Sequence, residues 1–337
     1  TLYVFQRTPS SVDVRANEDI DQEWFNEIAT EGWQMRWIEN FTANQTGHPA
    51  EVDLVKDGWT DISRRVRSKI SQLASEDLTV ENMMRAYEDA DIEKMEEIRA
   101  RCSTVVNDQE TAEDLKAWYG QLCKRPCFHD ENLQAYNQPG CHLIDTGGQG
   151  VDQITETGVV VGGKEYEVDC IIYASGFEVG TPFERRNGYE TTGRDGQKLS
   201  EYWADGMRTL HGIHVHGFPN LFIVQATQGG NLISNYPHNL TESGNTVGMM
   251  VKHALDNQVQ EMEVSLEAEN AWLELLKQAP PMMIGTTECT PGYYNNEGKG
   301  WEQSLMGGGY PFGPVAYFKY LNEWRDSGEF KGLEFRS

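Results

Sequence analysis

Apolar positions recur along this chain at two spacings, and the switches between them mark out its elements. Residues 1–5, Thr-Leu-Tyr-Val-Phe, form a short β-branched and aromatic run that predicts a strand. From residue 17 to about 120 the spacing becomes helical. Trp24, Phe25, Trp33 and Trp37 predict one amphipathic, aromatic-rich helix, with more over 62–73 and 80–92. Ile92, Met95 and Ile98 stand three apart on a charged background, the pattern of a surface helix. Residues 111–122 predict a further helix whose first turn carries Glu113 and Asp114. The strand rhythm returns over 142–145 and 154–166, where alternation around Gly162-Gly163 predicts a hairpin with a two-residue turn. Val168, Cys170, Ile171, Ile172 and Tyr173 make a run too short for a helix, which predicts a strand buried on both faces. Ala174, Ser175 and Gly176 then remove all bulk at the carboxyl end of that strand, where open α/β sheets bind ligands. Residues 221–224 predict another buried strand, followed by a glycine turn and a helix over 245–255. Helices over 266–277 and 315–324 follow, with turn-rich aromatic loops over 289–298 and 307–313. The class is α/β.

Composition narrows the function. The 337 residues suffice for two or three domains, and 38% hydrophobic residues with 10% aromatics describe a globular chain. A net charge of −25 argues against nucleic acid and against anionic membrane surfaces, and serves solubility. The six cysteines are sparse for the length, which predicts free thiols in a reducing compartment. Cys123 and Cys127 have a C-x3-C spacing beside His129, but a zinc site needs a second ligand pair and none is evident. No signal peptide and no apolar run of membrane-spanning length is present, so a cytoplasmic protein is expected.

Two short stretches carry candidate chemistry. Arg7-Thr8 directly follows the first strand. In a dinucleotide-binding βαβ unit, an arginine at the end of the second strand accommodates the 2′-phosphate of NADP. Its planar fork of donors matches phosphate oxygens, and a threonine hydroxyl can add one more. Lys124-Arg125 lies between a helix end and Pro126. On that stretch alone the commoner reading is a helix C-terminus, which favours cations and ends at proline. The functional reading gives one cation a cofactor phosphate and the other the reacting centre. His129 is a candidate acid or base, although a lone histidine is more often structural. The chain has no G-x-G-x-x-G, P-loop or nucleophile elbow.

Four separated segments fit one family in the same order. V-F-Q-R-T-P at 4–9, C-K-R-P-C-F-H-D at 123–130, D-C-I-I-Y-A-S-G-F at 169–177 and E-C-T-P-G-Y-Y-N-N-E-G at 288–298 resemble the flavin-dependent Baeyer–Villiger monooxygenases, the last segment resembling the larger steroid- and aryl-ketone-type members. Ser175 stands where the family has threonine, a change that keeps the hydroxyl.

The resemblance implies a fold of two Rossmann-like dinucleotide-binding domains, one for FAD and one for NADPH, with a helical insertion. It assigns residues 1–14 and 121–177 to the NADPH domain, 15–120 to the insertion and 178–337 to the FAD domain. Arg7, Thr8 and Lys124 match residues that hold the NADPH 2′-phosphate. Arg125 matches the active-site arginine that stabilises the anionic oxygenating species, a task suited to a guanidinium that cannot give up its proton at working pH. Tyr294 lies in the loop that folds over NADP, and backbone at Ser175 and Gly176 touches cofactor. The implied reaction uses NADPH and O2 to insert oxygen beside a ketone carbonyl, giving an ester or lactone. Both glycine fingerprints of the family belong before Thr1. The chain is therefore expected to be a C-terminal portion that needs the FAD-binding portion of the same protein as its partner and is inactive alone. The alternatives are a flavin monooxygenase acting at nitrogen or sulfur, for which Arg125 is not required, and a non-catalytic acidic relative of the fold.

Overall fold

The structure, a computed structural model, describes residues 1–48, 50–176, 181–225, 227–230, 234–279, 289–295, 297–298 and 309–337. In chain order the helices are α1 (Gln22–Ile28), α2 (Trp33–Gln45), α3 (Gly58–Ile70), α4 (Val80–Val105), α5 (Gln109–Asp114), α6 (Asn132–Ala135), α7 (Phe183–Asn187), α8 (Leu199–Tyr202), α9 (Tyr236–Asn257), α10 (Leu266–Leu276) and α11 (Gly313–Ser327). The chain divides into two compact units. One comprises Thr1–Asp19, Lys56–Val179 and Gly285–Gly298, and the other Ile20–Val55, Gly180–Ile284 and Lys299–Ser337. Residues of the helical stretch 15–120 contribute to both units. The reason is packing: α2 lies against α9 and α11 of the second unit, whereas α3 lies against α4 of the first.

In the first unit, β1 (Leu2–Gln6) pairs in parallel with β4 (Cys141–Asp145), from Leu2 opposite Cys141 to Gln6 opposite Asp145. The short β2 (Val12–Asp13) and β3 (Cys127–Phe128) form a second parallel pair. β5 (Gln153–Ile154), β6 (Gly158–Val161) and β7 (Lys164–Glu167) make an antiparallel sheet. The β6–β7 turn is Gly162-Gly163 with φ of 59° and 77°, the doubly positive geometry that matches strand twist and that glycine tolerates best. Helices start where side chains satisfy free amides: Asp57 accepts from Trp59, Thr79 from Asn82 and Asp108 from Thr111. α4 runs unbroken through both windows read from the sequence and buries Ala86, Ala90, Met95, Ile98 and Cys102 along one face.

Several expectations give way. The 23–37 helix is two helices, because the chain turns at Gly32 with φ of 75°; Trp33 and Trp37 meet edge to face across the next turn. The 111–122 helix stops at Asp114. The backbone beyond is taken by tertiary partners: Arg99 donates to the Ala117 carbonyl, and the Gln121 amide donates to Asp91. Residues 168–173 are not a strand. Ile172 is 84% and Tyr173 73% exposed, since an apolar run becomes a buried strand only beside another strand that takes its backbone groups. Residues 221–224 give only an isolated bridge from Phe222 to His214, with Ile223 buried and Val224 exposed.

The second unit is held by α9, α10 and α11 against β8 (Glu261–Val264) and β9 (Leu333–Arg336), which pair antiparallel. Met250, Trp272, Leu276, Tyr317, Phe318, Leu321 and Trp324 fill its core. Each large side chain so removed from water contributes about 1.5–3 kcal/mol. α9 begins earlier than the expected 245, at Tyr236 with Pro237 in its first turn. Inside this unit Arg325 meets Glu242 at 2.5 Å, with both side chains buried. No helix among the described residues is long and apolar enough to cross a membrane.

Candidate functional site

The strands of the first unit bring two distant stretches together. Arg7 leaves the end of β1, and the chain then enters β2, which pairs with β3 immediately after Lys124-Arg125. Side chains fix this seam. Tyr119 donates its hydroxyl to the Pro9 carbonyl at 2.6 Å, and Arg101 bridges the carbonyls of Val12 and His129. Lys124 sits in extended backbone after the short turn at Gln121–Cys123.

A third stretch, residues 289–298, closes on this seam. Lys124 Nζ donates to the Pro291 carbonyl at 2.8 Å and Arg7 Nη2 donates to the same oxygen at 3.3 Å. Arg7 also pairs with Glu297 at 3.1 Å. Two cations thus converge on one carbonyl in a strongly acidic protein. The ammonium of Lys124 is pulled below its usual range by burial and then by the neighbouring Arg7, with Glu297 opposing. Two cations so placed, with one carboxylate drawn to them, suit an anionic group with several acceptor oxygens.

Arg125 is presented differently. Its guanidinium lies over the Trp59 ring, 5.1 Å from the centroid, and Trp59 packs on Phe128 at 5.2 Å. Gly58 makes this possible, since a Cβ there would stand 2.0 Å from Phe128 Cε1. The Tyr293 hydroxyl is pushed up by burial and by Tyr294, while Arg125 bears on it in the opposite sense. The loop carrying both tyrosines is organised from within by Asn295. That buried side chain accepts from the amides of Gly292 and Gly298 and donates to the Cys289 carbonyl.

One expectation is overturned at this site. Cys123 and Cys289 form a disulfide, with Cα atoms 5.3 Å apart across a sequence separation of 166. Cys102, Cys127, Cys141 and Cys170 are free. The sparse spacing suggested free thiols throughout, but a fold can bring two distant cysteines together without any local signal. Arg7, Lys124 and Arg125 are gathered around one loop. Thr8 is half-buried next to Arg7, and Tyr294 packs edge to face on Tyr293 at 4.6 Å. Ser175 and Gly176 are exposed, and a Cβ at Gly176 would meet open space rather than a close neighbour. Phe177 lies outside the described residues. His129 accepts from the Glu131 amide through Nδ1, a local turn contact. Sequence reasoning missed Trp59, Tyr293, Glu297 and the disulfide. The signal for Trp59 was its glycine neighbour, which permits an unusually close aromatic contact.

No protein-family model matches the chain. It is 43% identical over 338 aligned residues to neopentalenolactone D synthase of Streptomyces avermitilis, covering 99% of this chain and 56% of that protein. A Baeyer–Villiger monooxygenase of Stachybotrys chlorohalonatus is 42% identical over 98% of this chain and 53% of its own length. The chain is a homologue of Baeyer–Villiger monooxygenases. The solved polycyclic ketone monooxygenase of Thermothelomyces thermophila shares 35% identity with this homologue at a TM-score of 0.84, over 99% of this chain and 55% of that one. The homologue therefore spans about half the length of the relatives it matches.

Proposed function

We propose that this chain is the C-terminal portion of a flavin-dependent Baeyer–Villiger monooxygenase, supplying part of the NADPH domain, the C-terminal part of the FAD domain and the active-site arginine. The enzyme oxidises a small-molecule ketone to an ester or lactone with NADPH and O2, and the whole has the two Rossmann-like domains typical of the family. The observation that carries this reading is the convergence of Arg7 and Lys124 on the Pro291 carbonyl. Two like charges held beside each other are unfavourable in themselves, and a doubly charged phosphate is the acceptor that repays the arrangement. The donor set fits the group: Arg7 gives a planar fork, Lys124 a point charge, and Thr8 a hydroxyl. Glu297, now on Arg7, stands where a phosphate oxygen would be drawn, so the phosphate takes its place.

FAD supplies the oxygen-transferring chemistry when bound, and residues 178–337 form the C-terminal part of the domain that would hold it. Arg125 faces the reacting centre as a permanent positive charge and stabilises negative charge that develops there. Trp59 fixes its guanidinium plane from below. The loop at 289–298, with Tyr294, covers the nucleotide and excludes water, and backbone at Ser175 and Gly176 touches cofactor.

The experiment is titration of the chain with 2′,5′-ADP and with 5′-AMP by calorimetry. The reading expects 2′,5′-ADP to bind at least tenfold more tightly, the preference of a charge-assisted contact worth about 1.5–3 kcal/mol. Lys124→Ala and Arg7→Ala should each remove most of that preference. Equal affinity for the two nucleotides refutes the phosphate assignment.

A further inference from the structure

We propose that the Cys123–Cys289 disulfide is a redox-cleavable clip that holds the 289–298 loop against the cation pair and thereby sets its affinity for an anionic ligand. The clip itself rests on geometry alone; its effect on nucleotide rests on the reading above.

The bond stands at the centre of the seam. Cys123 directly precedes Lys124, and Cys289 lies two residues before Pro291, whose carbonyl receives both Lys124 and Arg7. One covalent link and the Lys124 hydrogen bond therefore join the same two short stretches, and Arg7 ties a third stretch to them. The loop is a preformed unit, since Asn295 ties Cys289, Gly292 and Gly298 together from inside. Two further ties across the seam are charged contacts at the surface. Arg7 and Glu297 keep 48% and 52% of their side-chain exposure, and Arg125 bears on Tyr293 from an exposed position. Contacts of that kind are weak in water and weaker in salt. The disulfide is a stronger tie than these, and it can be broken chemically.

The reagent it would take is a dithiol. A reductant thiolate attacks Cys123 Sγ, the half-buried sulfur, and the sulfur–sulfur bond breaks with Cys289 leaving as thiolate and taking up a proton. The second thiol of the reductant, as its thiolate, then displaces Cys123, which leaves as a thiolate and is protonated. Two electrons pass to the cysteine pair, and the reductant ends as its own disulfide. Cys102, Cys127, Cys141 and Cys170 take no part.

The test uses the chain as purified without reductant. Alkylation and mass spectrometry should find four blocked cysteines before dithiothreitol and six after it. Hydrogen exchange of peptides from 289–298 should accelerate about tenfold or more on reduction, while α9 and α10 stay unchanged. The double variant Cys123→Ser, Cys289→Ser should behave as the reduced protein without any reagent. Affinity for 2′,5′-ADP should fall about tenfold in both, the cost of reordering two long cationic side chains at each binding event. Six free thiols in the untreated protein, or loop exchange unaltered by reduction and by the double variant, overturns the clip. Faster exchange with unaltered 2′,5′-ADP affinity overturns its control of the ligand. Faster exchange in a protein that binds 2′,5′-ADP in neither form leaves the clip standing and refutes the phosphate reading instead.

Discussion

Removing the ammonium of Lys94 should destabilise the first unit by about 3 kcal/mol at neutral pH, and by less in acid. Lys94 is buried on α4 and lies 2.5 Å from Asp13 and 3.2 Å from Asp61. Asp13 belongs to β2 and Asp61 to α3, so one side chain joins three elements, including the strand that seats Lys124 and Arg125. Taking one partner from a buried ion pair costs about 3–5 kcal/mol, because the remaining charge stays out of water. Here the lower end applies. Asp13 and Asp61 retain 14% and 19% of their side-chain exposure, and Arg65 still holds Asp61 at 2.9 Å. The pH dependence follows from Asp61. Burial raises its carboxyl, but Lys94 and Arg65 together outweigh burial and hold it below the usual carboxylate value. A depressed folded value means stability that is present above the unfolded value near pH 4 and lost as pH falls through the folded one. In Lys94→Met the attraction from Lys94 is gone and burial acts with less opposition, so the variant gains by protonating where the parent loses. The gap between them should narrow from pH 7 to pH 4. Urea titration read by hydrogen exchange on α3 and α4 peptides reports this unit alone. A difference under about 1 kcal/mol at pH 7, or a gap of equal size at both pH values, refutes the reasoning.

Two further outcomes follow from the same structure. His214 is fully enclosed in the second unit between Phe222 and Trp324, and burial pushes its imidazole down to about 4. Stability of that unit should hold above pH 6.5 and fall by up to about 3 kcal/mol between pH 6.5 and 4, as the unfolded chain takes up a proton first. His214→Phe should flatten that slope in chemical denaturation, and an unaltered slope contradicts the assignment. Trp59→Ala removes the ring under Arg125, a contact worth about 1 kcal/mol, and should lower ester formed per NADPH consumed about fivefold in the flavin-loaded enzyme. Trp59→Phe should recover most of it with KM for NADPH unchanged, while a shift confined to KM argues for general disruption.

Local pattern was readable wherever one segment decides its own structure. Gly162-Gly163 announced its turn because a two-residue hairpin needs positive φ at both positions. The 266–276 helix announced itself by apolar spacing, and Ser265 caps it. What failed depended on a second segment. Ile171 and Ile172 look like a buried strand only if another strand lies beside them, and the helical run to Leu122 is cut short by Arg99 and Asp91 from another helix. At the site, Arg7, Lys124 and Arg125 were legible as charges after a strand and before a proline. The loop that unites them was legible only through the family resemblance, and its attachment was not, because the pairing of Cys123 with Cys289 and the shared Pro291 carbonyl arise from chain stretches more than 160 residues apart.

The central claim is that Arg125 acts on the reacting centre rather than on nucleotide binding. It is tested most directly by measuring NADPH consumption and ester formation side by side in Arg125→Ala of the flavin-loaded enzyme. The account predicts that the variant still consumes NADPH while ester falls by about a hundredfold or more, the loss expected when a preorganised stabilising charge is removed. Ester formation at the parent rate would contradict it.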